Sequence, residues 1–127
     1  MMIDLDLLSW NKTEEEQEEV LKIINEKKNV DWEELIIPEN RKDCWYNCAR
    51  ILALQSDDVL MGLNDHIFEW FQDINWPGAD ILMERLHQIP PDKIRNNYYM
   101  AIKKANIQKD EEWAENLQEV FKDYFEK

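Results

Sequence analysis

The chain has 127 residues, room for one ordinary domain but not for a second with its own core. Two glycines and four prolines are too few for a many-turned sandwich or barrel, or for glycine-rich phosphate loops, so helices are the favoured material. Asp and Glu outnumber Lys and Arg by 28 to 15, and the net charge of -13 is the wrong sign for a protein that grips phosphates by counterion release. With 44% apolar and 34% charged residues the chain can bury a core and is no disordered acidic tail.

The N-terminal stretch carries Asp4 and Asp6 where a secretory signal would carry positive charge, and it lacks a small-residue cleavage site. The product is expected to stay in the cytoplasm. No uncharged apolar run approaches the roughly 20 residues needed to cross a bilayer, and no amphipathic segment has a basic polar face, so no membrane role is expected.

Thr13 followed by Glu14, Glu15 and Glu16 forms a capping box, and Val20, Ile23 and Ile24 then give an apolar stripe, which predicts a helix over about 14–28. A short helix follows from Asp31, a potential cap with Glu34 three residues on, and Pro38 stops it. Cys44, Trp45, Cys48, Ile51 and Leu52 keep three-and-four spacing from about Arg41 until Ser56-Asp57-Asp58 restarts the pattern. Leu60, Leu63, Ile67, Trp70, Phe71 and Ile74 then read as one continuous stripe. Further on, Asp73 or Asn75 is expected to cap a helix in which Pro77 takes an early position and Ala79, Leu82, Met83 and Leu86 turn inward. A helix from about 92 carries Ile94, Tyr98, Ala101, Ile102 and Ala105, and the last one, capped by Asp110, carries Trp113, Leu117, Val120, Phe121 and Tyr124 almost to Lys127.

Those starts make seven helices in one all-α domain over 1–127. Alternate helices recur about 35 residues apart, a period typical of stacked helical hairpins, and that shift places Cys44 on Ala79, Cys48 on Met83 and Ile51 on Leu86. A short right-handed α-solenoid is the leading architecture and a closed helical bundle the alternative.

Residues 51–84 contain no Lys or Arg, whereas 85–109 are net basic. On a continuous helix Asp58, Asp65, Glu69 and Asp73 share a face opposite the apolar stripe. Like charges four apart weaken a helix by a few tenths of a kcal/mol per pair, so the row is either a solvated face or a docking surface for a basic partner. The basic block could also neutralise it within the molecule. Of the six tryptophans, Trp45, Trp70 and Trp113 lie on or beside apolar stripes and read as core, while Trp10, Trp32 and Trp76 stand where helices begin.

No His-Glu-x-x-His, Gly-x-Ser-x-Gly or P-loop pattern occurs, and the lone serines read as a loop and a cap. Cys44 and Cys48, four apart on one predicted helix, read as core thiols in a reducing compartment, and His66 and His87 stand apart from them, so no metal or other cofactor is expected. The chain is read as non-catalytic.

Phe68-Glu-Trp-Phe-Gln-Asp-Ile-Asn-Trp-Pro-Gly-Ala79 resembles a family of small uncharacterised bacterial proteins, a domain of unknown function whose signature is Trp-Leu-Gln-Asp-x-Asn-Trp-Pro after a Leu-Ile-Pro stretch. Trp70, Gln72, Asp73, Asn75, Trp76 and Pro77 fit it, Phe71 replaces the usual leucine, and Ile36-Ile-Pro38 and Asp110-Glu-Glu-Trp113 keep the order. The resemblance implies a small HEAT-like helical domain and supplies no activity. Asp73, Asn75, Trp76 and Pro77 can all be explained as one helix-to-helix corner. Two functional expectations follow: a protein-protein interaction module, conceivably an immunity protein against a basic toxin domain, or a small-molecule or catalytic groove near Gln72 and Trp76. Oligomeric state is left open.

Overall fold

The computed structural model describes residues 3–27 and 30–125. Lys28, the expected end of the first helix, and the terminal residues Met1, Met2, Glu126 and Lys127 lie outside them. Six α-helices, α1 (Glu14–Asn25), α2 (Lys42–Ala53), α3 (Asp57–Gly62), α4 (Ala79–Leu86), α5 (Pro91–Ile107) and α6 (Glu111–Phe125), alternate with 3-10 helices at Leu5–Leu8, Trp32–Leu35 and His66–Gln72. The described residues include no strand, and the fold is all-α.

Local chemistry sets most of the helix ends. The Thr13 hydroxyl accepts the Glu16 N–H while Glu16 accepts the Thr13 N–H, which completes the capping box of α1. Ser56 caps α3 through the Val59 N–H, and Asp110 accepts the Trp113 N–H at 3.0 Å at the start of α6. Pro91, which has no N–H to leave unpaired, opens α5. The end of α5 is closed by Lys109 at φ +58°, whose N–H reaches the Asn106 carbonyl while the Asp110 N–H reaches that of Ala105. This pair of bonds satisfies the last carbonyls of the helix.

Three expectations change. The stripe from Leu60 to Ile74 is not one helix: α3 stops at Gly62, Asn64 turns the chain at φ +57°, and the backbone resumes as the 3-10 helix His66–Gln72. A 3-10 helix repeats every three residues, and the sequence obeys that period. His66, Glu69 and Gln72 take one side, half-exposed; Ile67 and Trp70 take a second and Phe68 and Phe71 a third, both fully buried. Ile74, beyond the element, is exposed. The short helix after Asp31 is a single 3-10 turn, and Asp31 makes no capping hydrogen bond to it. The helix expected from Pro77 begins at Ala79, with Gly78 in the capping position at φ +89° and no side-chain cap.

Alternate elements stack: α2 lies against α1 and α4, α3 touches α5, and α6 packs on both α5 and the 3-10 helix His66–Gln72. The ends of α1, α2, α4 and α6 are tied in series by hydrogen bonds. Gln55 donates to Asn25, Arg85 donates to the carbonyls of Ala53 and Gln55, and the Tyr124 hydroxyl donates to that of Ile89 at 2.6 Å. Each tie satisfies polar groups just past a helix end. One contiguous core runs from Leu8 to Phe125, and its largest side chains include Trp70, Trp113, Tyr98, Phe68 and Phe121. Met83 and Trp45, expected inside, are half-buried at its margin, and Ile23 of α1 is exposed.

Candidate interaction site

An acidic groove lies between the turn Trp32–Leu35 and α3. The turn is pinned by buried Leu35 and by the Ile36 N–H, which donates to the Glu33 carbonyl, while Ser56 fixes the first turn of α3. The groove has a volume of about 470 Å³, with Val30, Trp32, Val59 and Leu63 as its apolar lining and Asp31, Glu33, Glu34 and Asp58 as its carboxylates. Glu33, Glu34 and Asp58 are exposed and form no ion pair among the described residues. The positive end of α3 favours Asp58 where it stands; the neighbouring Asp57 is instead bound by Arg85 at 2.8 Å. Glu33 also borders a smaller cavity of about 220 Å³ shared with Ile36, His66 and Glu69. The whole depression is apolar at its base and anionic at its rim, an arrangement that attracts cationic side chains carried on an apolar segment.

Of the four carboxylates read as one row, only Asp58 stands in the larger groove. Asp65 and Glu69 lie across the break at Asn64 and share Lys104, at 3.8 and 3.5 Å, while Glu69 also contacts His66 Nδ1 at 2.7 Å. The basic block therefore neutralises this part of the acidic face from within. Asp73 accepts the Asn75 N–H at 2.8 Å in a tight turn of its own and caps no helix. The four do not form a row on one continuous helix, because α3 stops at Gly62 and the chain turns at Asn64.

The segment after Gln72 forms a corner. Trp70 Nε1 donates to the Pro77 carbonyl at 2.8 Å across the turn, and Trp76, half-buried, sets its ring edge against Trp45 with centroids 5.0 Å apart. Gly78 lies against α2, where a Cβ would overlap that of Ala49, and its positive φ disfavours any side chain. Gln72 Nε2 donates to the Glu69 carbonyl, and its own carbonyl accepts from Asn116. The polar groups of Gln72, Asp73 and Pro77 are thus engaged in the chain itself. Trp45 and Trp113 also donate to carbonyls, those of Pro38 and Phe68.

The groove residues Glu33 and Glu34 were not singled out by sequence reasoning. Asp31-Trp32-Glu33-Glu34 joins an aromatic to three carboxylates, but this local pattern does not say which element faces it across the groove.

The reactive residue types serve the fold. Ser9 is buried and accepts the Asn11 N–H, and Ser56 is a cap. Both cysteines are buried free thiols; burial pushes Cys44 up to about 11 and raises Cys48 as well, and the Cys44 thiol donates to the Leu5 carbonyl. Among the described residues no three His, Cys, Asp or Glu side chains gather as a metal site, and no helix is long and apolar enough to cross a membrane.

These features define an all-α protein with an aromatic-proline corner packed against α2 and an exposed acidic groove. Residues 36–127 match the family described as Domain of unknown function (DUF5071), and the chain belongs to that family. The corner, α2 to α6 and the α3 wall of the groove lie inside the matched stretch, whereas α1 and the turn bearing Glu33 and Glu34 lie before it. No curated protein and no solved structure matches the chain.

Proposed function

We propose that the protein is a non-catalytic interaction module that docks a basic segment of a partner protein in the groove between Trp32–Leu35 and α3, on a short HEAT-like right-handed stack of helices. The observation that carries this reading is the set of three exposed carboxylates, Glu33, Glu34 and Asp58, which pair with no cation among the described residues, around an apolar lining. Lys or Arg heads at the rim would meet charge, and their stems or neighbouring apolar residues would cover Trp32 and Val59. The free, buried thiols suit a reducing cytoplasm. A basic toxin domain encoded beside the gene is the partner class that small size and a charge of -13 favour, which makes immunity the biological role proposed.

The test is co-purification from the native cell at low salt, followed by association kinetics of the recovered protein with the wild type and with Glu34→Lys/Asp58→Lys. The expected result is a basic partner whose association slows at least tenfold with the variant and slows for the wild type as salt rises. Equal rates for the two proteins, or a recovered partner that is not basic, would remove the reading.

A further inference from the structure

The outer face of α1 carries a stripe that has an internal symmetry and that no other helix covers among the described residues. Its inner face, Leu21 and Ile24, is buried against α2 and the core, but Glu16, Val20 and Ile23, four and three residues apart, share a different face, and Lys27, two residues past the end of α1, lines the same groove as Val20 and Ile23. Val20 is half-buried, Ile23 is 47% exposed, and Glu16 and Lys27 are exposed at the two ends. Beside the stripe runs an apolar groove of about 320 Å³ walled by Ile3, Leu7, Val20 and Ile23, with Lys27 at its margin. Leu7 is itself 45% exposed. At the other end Glu15, Glu16 and Glu19 gather around Val20.

Read in reverse, the stripe is its own complement. An antiparallel copy whose two-fold axis passes between Val20 and Ile23 sets Glu16 opposite Lys27, Val20 opposite Ile23, and then the same pairs again. Both ends meet opposite charge and the middle meets apolar surface, as an isologous interface requires. A parallel copy would place Glu16 on Glu16 and Lys27 on Lys27. A basic foreign helix would gain at Glu16 and Glu19 but be repelled at Lys27, so the mixed sign of the stripe selects a second copy over a cationic partner. The net charge of -13 on each chain opposes association at long range, yet at physiological ionic strength repulsion is screened beyond about 8 Å while the register pairs act in contact.

We propose that this protein self-associates into an antiparallel two-fold dimer through the Glu16–Val20–Ile23 face of α1 and Lys27 just beyond its end. The interface belongs to the N-terminal segment that precedes the family match, and it is separate from the acidic groove.

The test is sedimentation of the full chain at ionic strength of about 0.15 M. The wild-type mass should rise from 15.4 kDa toward twice that value with concentration. Ile23→Glu and Lys27→Glu should each weaken association about tenfold or more, and Asp58→Lys, in the other groove, should leave it unchanged. Glu16→Lys should also weaken it, with folding checked by circular dichroism because Glu16 belongs to the capping box. Mixing Glu16→Lys with Lys27→Glu should restore a dimer, since each variant then offers the other's complement. A wild type that stays monomeric at every concentration overturns the proposal. So does self-association that Ile23→Glu leaves intact, or a mixture that fails to pair while both variants remain folded. A monomeric wild type whose α1 face binds a lysine-rich amphipathic peptide would assign the face to a foreign partner and equally overturn the dimer.

Discussion

The C-terminal and N-terminal parts of the molecule are held to the centre by different forces. Around the 3-10 helix His66–Gln72, α5 and α6 supply rings: Phe68 meets Tyr98, Phe121 and Phe125 with centroids 5.4 to 6.2 Å apart, and Phe71 meets Phe121 at 5.1 Å, all buried. The N-terminal segment buries the smaller aliphatic Leu8, Leu21 and Ile24 and adds a set of polar ties to α2. Buried Asn47 donates to the Leu8 carbonyl and to Gln17, Arg50 pairs with Glu18, and Gln55 donates to Asn25. Apolar burial is non-directional and cumulative, whereas a hydrogen bond contributes about 1 kcal/mol net and fails abruptly when one partner is removed. The aromatic region should therefore govern global stability, and the N-terminal segment should be the part that opens locally.

The largest effect should come from breaking the aromatic side. Phe68→Ala removes the ring that touches four others and should cost about 3–5 kcal/mol, read as a lowered denaturant midpoint with one cooperative transition. Next, Gly78→Ala should cost roughly 2–4 kcal/mol, from left-handed strain together with overlap on Ala49; thermal unfolding reads it. Asn47→Ala leaves the buried Leu8 carbonyl without its donor and should cost about 1–3 kcal/mol. Hydrogen exchange sharpens the comparison here: protection should fall first in residues 3–25, while Phe68 and its neighbours keep theirs.

Acid should act on the same seam. The Ser9 hydroxyl first holds the Asp43 carboxyl below its usual range; desolvation opposes it, and the Arg41 guanidinium adds to the lowering. Its folded value lies below its unfolded one, so the stabilisation is complete above the ordinary carboxylate range and is lost as pH falls through the folded value. Protection in the N-terminal segment, corrected for the intrinsic pH dependence of amide exchange, should fall over that acidic window and stay flat toward neutrality. Asp43→Asn should flatten the acid limb.

The smallest expected effect corrects a sequence expectation. A row of exposed carboxylates would tolerate reversal, but Glu69→Lys places a cation beside Lys104 and His66 and should cost about 1 kcal/mol by thermal melt. Asp58→Lys, which meets no such partner, should stay within about 0.5 kcal/mol.

What the sequence disclosed followed from signals that are local. The capping box at Thr13, the cap at Asp110 and the inward positions Cys44, Cys48, Ile51, Leu52, Ile94, Tyr98, Ala101, Ala105, Trp113, Leu117 and Phe121 are fixed by residues within a turn or two and stand where spacing put them. Trp45, Ile102, Val120 and Tyr124 of the same stripes are half-buried. The stretch 57–74 was misread because a 3.6-residue period was imposed on residues that repeat every three. The apolar positions alone fit both periods, and the polar side formed by His66, Glu69 and Gln72 decides between them. Half of the groove was legible through Asp58; Glu33 and Glu34 were not, because their meeting with α3 is a tertiary event no local pattern encodes. That the basic block could neutralise the acidic face is legible in the sequence; that Lys104, more than thirty residues away, does so at Asp65 and Glu69 is again a tertiary event.

The three-sided character of His66–Gln72 bears on how this chain can vary in length. Each residue of a 3-10 helix advances about 120°, so inserting or deleting one would rotate every following side chain onto its neighbour's side. Deletion of Ile67, for example, would move Phe68 and Phe71 to the sides of Ile67 and Trp70, and carry Trp70 into water. An α-helix misplaces its faces by about 100° under the same change but can redistribute a broad stripe; three narrow sides with two of them fully buried leave no such latitude. Homologous chains should therefore exchange residue types in this stretch while keeping its count, and length differences should collect in the exposed turns on either side.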